Sequence, residues 1–262
     1  MKVFKFLSVS CLVLALSFSA QATQGVIGSY ANGCIQGALK LENSPDYQIQ
    51  RWSKEARNFG HPILIEYIKD LAAKAKANSL PRLLIGDLSL KKGGPFLVKS
   101  NHGSHQNGLD VDISFDFATP KKTSYELNHP KDIAIVDGKG NANSNFDENR
   151  VKLIYLAAND DKVARIFVSP GIKRHLCNLY KNEDRAWLNK LRPWFGHRAH
   201  MHVRLSCPLD STMCQNQQAQ PQGDGCGEEL ASWFLPPDNT KVTPKKKLKK
   251  VLPKECQLLL AK

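Results

Sequence analysis

Hydrophobic and polar positions alternate with two different periods along this chain, and the periods predict its elements. Between residues 62 and 77 the apolar side chains Leu64, Ile68, Leu71 and Ala75 recur at helical spacing. Pro62 suits the first position of that helix. Residues 109–115 follow a period of two instead. Leu109, Val111, Ile113 and Phe115 face one way and Asp110, Asp112 and Ser114 the other, as in a strand with one packed and one polar face. Residues 201–205 alternate in the same manner, so Met201, Val203 and Leu205 face the core while His200 and His202 share the opposite side. The apolar run 82–88 reads as a short buried strand. Residues 149–159 and 171–180 read as helices, with a strand at 165–168 between them. Residues 119–149 are polar and carry Pro120, Pro130, Gly138 and Gly140; they read as a long surface excursion, a wall of the site. Helices and short strands mixed irregularly predict an α+β fold, with a central antiparallel sheet flanked by helices.

Composition then bounds the setting. A chain of 262 residues fits one domain with extensions, or two small ones, and shows no internal repeat. Its formal charge of +13 points to an anionic partner, whether nucleic acid, acidic lipid or carboxylate-rich cell wall. Lys2 and Lys5 precede an apolar stretch at 6–18, and Ala20-Gln21-Ala22 offers a cleavage site. Residues 1–22 therefore read as a signal peptide and the mature chain begins near Thr23. About thirteen apolar residues are too few to span a bilayer, and no other segment is apolar enough. A lipoprotein signal ending at Cys11 has too short an apolar segment before it. Once Cys11 leaves, six cysteines remain. In an oxidising compartment they predict three disulfides with fifteen possible pairings, of which spacing favours only Cys207–Cys214. No CxxC pair suggests a thiolate metal site. A domain over 23–235 is followed by a Pro/Lys-rich tail over 236–262, with the run Lys245-Lys246-Lys247. That composition predicts a solvated tail apart from Cys256 and residues 258–260.

The chemistry gathers in two segments that hold five of the eight histidines: His102-Gly-Ser-His105-Gln-Asn-Gly-Leu-Asp110-Val-Asp112 and Trp194-Phe-Gly-His197-Arg-Ala-His200-Met-His202. A zinc ion takes imidazole and carboxylate ligands and, at a catalytic site, keeps a position for water. His105 from a glycine-containing loop, Asp112 from the following strand, and His200 and His202 from another strand can converge on one ion. Carboxylates and imidazoles on one face of each of two otherwise apolar strands are harder to explain as solvated surface. Asp110 shares the face of Asp112 and either orients an imidazole or stands solvated. His61 and His129 precede prolines and read as loop residues, and His175 as helix surface.

The segments Ser104-His105-Gln106-Asn107-Gly108-Leu109-Asp110-Val111-Asp112 and Pro193-Trp194-Phe195-Gly196-His197-Arg198-Ala199-His200-Met201-His202-Val203-Arg204 resemble the penicillin-insensitive murein endopeptidases. These belong to the lysostaphin/D-Ala-D-Ala-carboxypeptidase/hedgehog group of zinc folds. The likeness extends through residues 29–34, Ile85-Gly86-Asp87 and Gly223-Asp224-Gly225-Cys226-Gly227. The resemblance implies a periplasmic enzyme that uses Zn²⁺ to cleave the D-alanyl–meso-diaminopimelyl cross-link of peptidoglycan. It implies that His105, Asp112 and His202 are zinc ligands, His102 a further metal-associated histidine, His200 the catalytic histidine and His197 another active-site imidazole. Asp137 matches one ligand of a secondary metal position, but Gly140 stands where its histidine partner is expected, which argues against a second zinc. The resemblance also implies the pairings Cys34–Cys256, Cys177–Cys226 and Cys207–Cys214.

There is no HExxH, so His200 is expected to take the proton of the attacking water, with His197 stabilising the developing charge. Sequence does not decide which histidine has which role. Ser89-Leu90-Lys91-Lys92 matches the S-x-x-K motif of penicillin-binding serine enzymes, but no K-T-G accompanies it. A non-catalytic zinc-stabilised wall-binding protein is the competing reading. Nucleic acid is not expected as a partner, because the lysine-rich tail has no aromatic residues between its lysines. The oligomeric state stays open, a dimer included.

Overall fold

The computed structural model describes residues 25–51, 55–97, 102–236 and 250–261, so the signal-peptide reading and the lysine run at 245–247 lie outside the described residues. The chain opens with a hairpin, β1 (Gly25–Ser29) and β2 (Asn32–Gln36), followed by β3 (Leu39–Lys40), β4 (Tyr47–Ile49) and β5 (Phe59–Gly60). Helix α1 (Pro62–Ala77) starts at the proline that marked it, and the His61 side chain caps it by accepting from the Ile63 N–H. Strands β6 (Leu83–Ile85) and β7 (Asp110–Ser114) follow, then α2 (Ser124–Asn128), α3 (Glu148–Ala158), β8 (Val163–Val168) and α4 (Pro170–Leu179). A 3-10 turn (Ala186–Lys190) leads to β9 (Leu191–Pro193) and β10 (His200–Leu205), with α5 (Glu228–Ser232) and α6 (Lys254–Leu260) at the end.

Six strands form the main sheet, in the order β4-β6-β7-β10-β8-β9. Its middle ladders, β6–β7, β7–β10 and β10–β8, are antiparallel, as read from sequence. The outer pairs β4–β6 and β8–β9 are parallel, which makes the sheet mixed. Parallel neighbours need a crossover connection. Here α1 lies between β4 and β6 in the chain, and α4 between β8 and β9.

One face of the sheet is the core. Val111, Ile113, Met201, Val203 and Leu205 join Leu64, Ile68 and Leu71 of α1, Leu153 and Ile154 of α3, and Ile172 and Leu176 of α4 in one buried cluster. The alternation of β7 and β10 then turns Asp110, Asp112, His200 and His202 to the other face. That face is covered too, and every residue of β7 is buried.

The excursion at 119–149 is more structured than its polarity suggests. Thr123 and Glu126 form a capping box that starts α2, and Leu127, Ile135 and Val136 are buried. Isolated apolar residues in a polar segment leave no periodic signal. Three disulfides join Cys34 to Cys256, Cys177 to Cys226 and Cys207 to Cys214. The first docks α6, the end of the tail, onto β2.

Candidate metal centre

Strand register brings the two motifs face to face. His202 pairs with Asp112, His200 with Ser114 and Arg204 with Asp110 across the β7–β10 ladder. Directly opposed residues place their Cβ atoms about 5 Å apart, so these side chains must meet. Between β6 and β7 the loop carrying His102 and His105 comes down over them. His105 has φ 66°, a left-handed conformation that a non-glycine residue holds only when its surroundings compel it. The compulsion is visible: its N–H donates to Asp110 Oδ2 at 3.0 Å, and the next N–H, of Gln106, donates to the Tyr30 carbonyl at 3.0 Å. Phe96 stacks on the His105 ring, with centroids 5.9 Å apart, and the Arg57 guanidinium covers Phe96 at 4.0 Å.

The focus of the cluster is the Asp112 carboxylate. Its Oδ1 lies 3.3 Å from His202 Nδ1, 3.4 Å from His105 Nε2 and 3.9 Å from His200 Nε2, and its Oδ2 lies 3.7 Å from His102 Nδ1. His102, His105 and Asp112 each offer a ligand atom within 4.8 Å of the others, and His202 Nδ1 adds a fourth beside Asp112. His105 is fully buried, yet neither of its ring nitrogens has a hydrogen bond, and Asp112 Oδ1 has none either. Buried polar atoms without partners are costly, on the order of 1–3 kcal/mol each. A cation would satisfy His105 Nε2 and Asp112 Oδ1 together, and a donor set of imidazoles and carboxylate suits zinc.

Electrostatics agrees. Burial alone would raise Asp112, but His105 and His200 hold its carboxyl well below the usual range. Asp110 is also lowered against its burial, by Arg204 and His202. Burial would lower His202, but Asp110 and Asp112 push it up to about 9. Arg204 pairs with Asp110, whereas the neighbours of the buried Asp112 carboxylate are imidazoles, which carry charge only when protonated. A divalent cation would match the charge of Asp112 in place of the proton on His202.

Behind these groups stand two carboxylates, each beside an imidazole. Asp110, fully buried, holds Arg204 by two bonds, Nε at 2.8 Å and Nη2 at 3.0 Å, and its Oδ1 lies 3.2 Å from His202 Nε2. Its burial excludes the solvated reading; the orienting one rests on proximity, since His202 Nε2 has no aligned hydrogen-bond partner. Asp87 was not among the residues singled out for the site. Its Oδ2 lies 3.4 Å from His102 Nε2 and accepts from Arg57 Nη1 at 2.9 Å. Burial, then Asp112, pushes Asp87 up to about 6. A single carboxylate after a three-residue strand has no periodic signature; only its place in the Ile85-Gly86-Asp87 likeness pointed to it. Gly86 beside it leaves room for Asp112, since a Cβ there would lie 3.1 Å from that of Asp112 and would press on that side chain.

The two remaining imidazoles sit at the opening. His200 is half-exposed, and His197 adopts φ 49° with its ring 5.0 Å from that of His200. Its Nδ1 donates to the Phe195 carbonyl at 2.7 Å. Burial, together with His200 and His202, pushes His197 down to about 4; burial first also brings His102 to about 4. Two clefts of roughly 390 and 340 Å³ meet at His102 and His200. One is walled by Phe167, Trp194 and Phe195, the other by Asp87, Ser114, Pro130 and Asp132.

Asp137 stands apart from this arrangement. Its Oδ1 accepts from the N–H groups of Lys139 and Asn141, both at 2.8 Å, so the carboxylate is satisfied within its own turn. Gly140 has φ 79°, a conformation that would strain the histidine expected there. His61, His129 and His175 are likewise elsewhere: His61 caps α1, His129 stacks on Tyr125 and His175 packs against Phe146.

If Asp110 fixes the face that His202 turns to the metal, Asp110→Asn should weaken zinc binding by roughly 10- to 100-fold. Competition against a chromogenic chelator measures this, and an unchanged affinity would show that the imidazole needs no carboxylate behind it.

Comparison with known proteins converges on one family. The model of the family described as penicillin-insensitive murein endopeptidase matches residues 26–261. A protein of that name from Yersinia enterocolitica serotype O:8 / biotype 1B is 48% identical over 237 residues, which is 89% of this chain and 84% of the relative. One from Salmonella heidelberg is 47% identical over 237 residues, 89% of this chain and 85% of the relative.

Proposed function

The chain belongs to the penicillin-insensitive murein endopeptidase family, and from that premise we propose that it is a zinc-dependent enzyme hydrolysing the D-alanyl–meso-diaminopimelyl cross-link of peptidoglycan. One observation carries the zinc: the buried His105 imidazole and an Asp112 carboxylate oxygen, each without a hydrogen bond, beneath the histidines that two clefts share. His105, Asp112 and His202 through Nδ1 would hold the ion, with His102 beside them. When bound, zinc supplies Lewis acidity to the scissile carbonyl and to water. The residues of the chain do the rest.

His200 is the proton acceptor in this reading, because its Nε2 is near the donors yet open to both clefts. The tautomer of His197 argues against the charge-stabilising role expected of it. A carbonyl can only accept, so the proton of the neutral ring is on Nδ1 and Nε2 carries a lone pair. With its pKa held near 4, His197 is neutral at ordinary pH and accepts a hydrogen bond, which suits it to orienting the attacking water. Asp110 and Asp87 hold His202 and His102 in place while this happens.

The compartment follows from the same reading. Three disulfides and the leader-like residues 1–22 fit a periplasmic enzyme with a mature domain from residue 23 to about 235 and a tail tied back through Cys256. Among the described residues no helix is long and apolar enough to cross a membrane. The partner is the cell wall itself, whose anionic character suits a chain of charge +13.

Mass analysis of purified cross-linked muropeptide dimers tests the function. The protein should convert dimers to monomers, a chelator should abolish the conversion, and Zn²⁺ should restore it. Penicillin should have no effect. Full cleavage by protein shown to be free of zinc would refute the metal mechanism. Binding to sacculi with dimers left intact would favour the non-catalytic wall-binding reading.

A further inference from the structure

A row of aromatic rings leads away from the candidate site and ends on the surface. It starts at His202, which Phe167 meets edge-on at 5.3 Å; Phe167 meets Trp194 at 5.8 Å, and Trp194 meets Trp233 at 6.4 Å. Phe195 closes the group, 5.0 Å from Trp233 and 6.5 Å from Trp194. Trp194 and Phe195 are 51% and 77% exposed and line the cleft that holds His197 and His200. Large rings left in water beside a binding cleft call for an occupant, since burying each would be favourable.

The outer end of the row is held firmly. Trp233 immediately follows α5, whose Leu230 is buried and whose Glu229 pairs with Arg192. The Cys177–Cys226 disulfide fastens the segment before α5 to α4. Lys173 of α4, fully buried, donates to the Asp224 carbonyl at 2.6 Å. Arg174 covers the Phe234 ring at 3.9 Å and donates to the Gly140 carbonyl at 2.9 Å. A platform already ordered loses little entropy when it binds.

We propose that Trp194, Phe195 and Trp233 form a subsite for the glycan strand of murein, placing the cross-link by its sugars as well as its peptides. The inference rests on the cross-link reading above, which supplies a substrate with both parts. A pyranose ring has an apolar C–H face of the right size to lie on an indole, with its hydroxyl and N-acetyl groups left to water. The alanine methyls of a stem peptide are too small to cover these rings, and its diaminopimelyl chain is held beside the scissile bond at the histidines. Reach agrees as well. A stem of four residues spans at most roughly 14 Å when extended, and ring-to-ring steps of 5.3 and 5.8 Å lead from His202 to Trp194. The sugars of a substrate cleaved at the histidines can therefore reach Trp194, with Phe195 and Trp233 next along the row.

Two measurements test this, and the first needs no catalysis. Titration with a peptide-free oligosaccharide of alternating N-acetylglucosamine and N-acetylmuramic acid should shift tryptophan emission in the unaltered protein. Trp233→Leu should abolish most of that shift, with Trp194→Leu as the second variant should Trp233→Leu fail to fold. The second compares kcat/KM on a cross-linked dimer bearing its disaccharides with the same dimer stripped of sugars. The unaltered enzyme should favour the sugar-bearing dimer by roughly 3- to 10-fold, the order of one aromatic contact, and the variants should bring the ratio toward one. No emission change with the oligosaccharide, an emission change with anionic phospholipid vesicles alone, or an equal loss on both dimers would overturn the subsite. Failure of the unaltered protein to cleave either dimer would instead strike the cross-link reading, and the titration would still decide the subsite.

Discussion

His202→Ala is expected to lose bound zinc and activity together, whereas His200→Ala should keep most of its zinc and lose roughly 10²–10⁴-fold in turnover. The two residues share a strand face only two positions apart, so the distinction lies in their surroundings. His202 is nearly sealed, with Nδ1 3.3 Å from Asp112 Oδ1 and Nε2 backed by Asp110. That is how a ligand is held. His200 is half-exposed, its Nε2 is 3.9 Å from the same oxygen, and it borders both clefts. A ligand controls occupancy, while a base controls the barrier once the ion is in place. Metal analysis and muropeptide cleavage on both purified variants separate the roles. If His200→Ala loses its zinc and His202→Ala keeps it, the assignments are reversed. If both keep zinc and full activity, β10 carries a structural motif and the site is elsewhere.

How far the sequence discloses this arrangement depends on periodicity. Helix α1 was legible to its ends because Pro62 marks the start and four apolar residues repeat at helical spacing. The two central strands were legible because their alternation is unbroken, and it placed His200, His202 and Asp112 on the working face before any pairing was known. Alternation also predicted a polar face, but it carries no sign that this face is covered. The loop bearing His105 roofs that face, and a roof is a long-range contact with no local signature. The same limit hid Asp87, the burial of Ile135 and Val136, and the short strands β1–β5. The parallel edges of the sheet come from α1 and α4 acting as crossovers. That relation appears only when strand order is known.

Replacing Cys34 and Cys256 with serine is expected to cost about 5 kcal/mol of stability and to loosen the His105 loop. The loop-entropy treatment assigns that figure, as an upper estimate, to a bridge whose ends are 222 residues apart, against about 2.5 for Cys207–Cys214 with a separation of 7. Among the described residues, the other contacts of the tail are few. Cys34 and Cys256 are packed with Ile27, Leu252 and Leu259 in a small cluster separate from the main core. Asn32 Nδ2 donates to the Val251 carbonyl at 2.9 Å, and Leu260 fills the space beside Gly94. The path to the metal centre is short. Cys34 bridges to Gly93, the Gly94 N–H donates to the Gln106 carbonyl at 2.8 Å, and the Gln106 N–H donates to the Tyr30 carbonyl at 3.0 Å. Gln106 is the residue after His105, whose left-handed backbone must be held from outside. Urea unfolding of the double-serine protein should therefore show a lower midpoint, and chelator competition should show faster loss of zinc than from the disulfide-bonded form. A lower midpoint with unchanged zinc release would confine the bridge to a stabilising role. Equal midpoints would mean that α6 is docked by its apolar contacts alone.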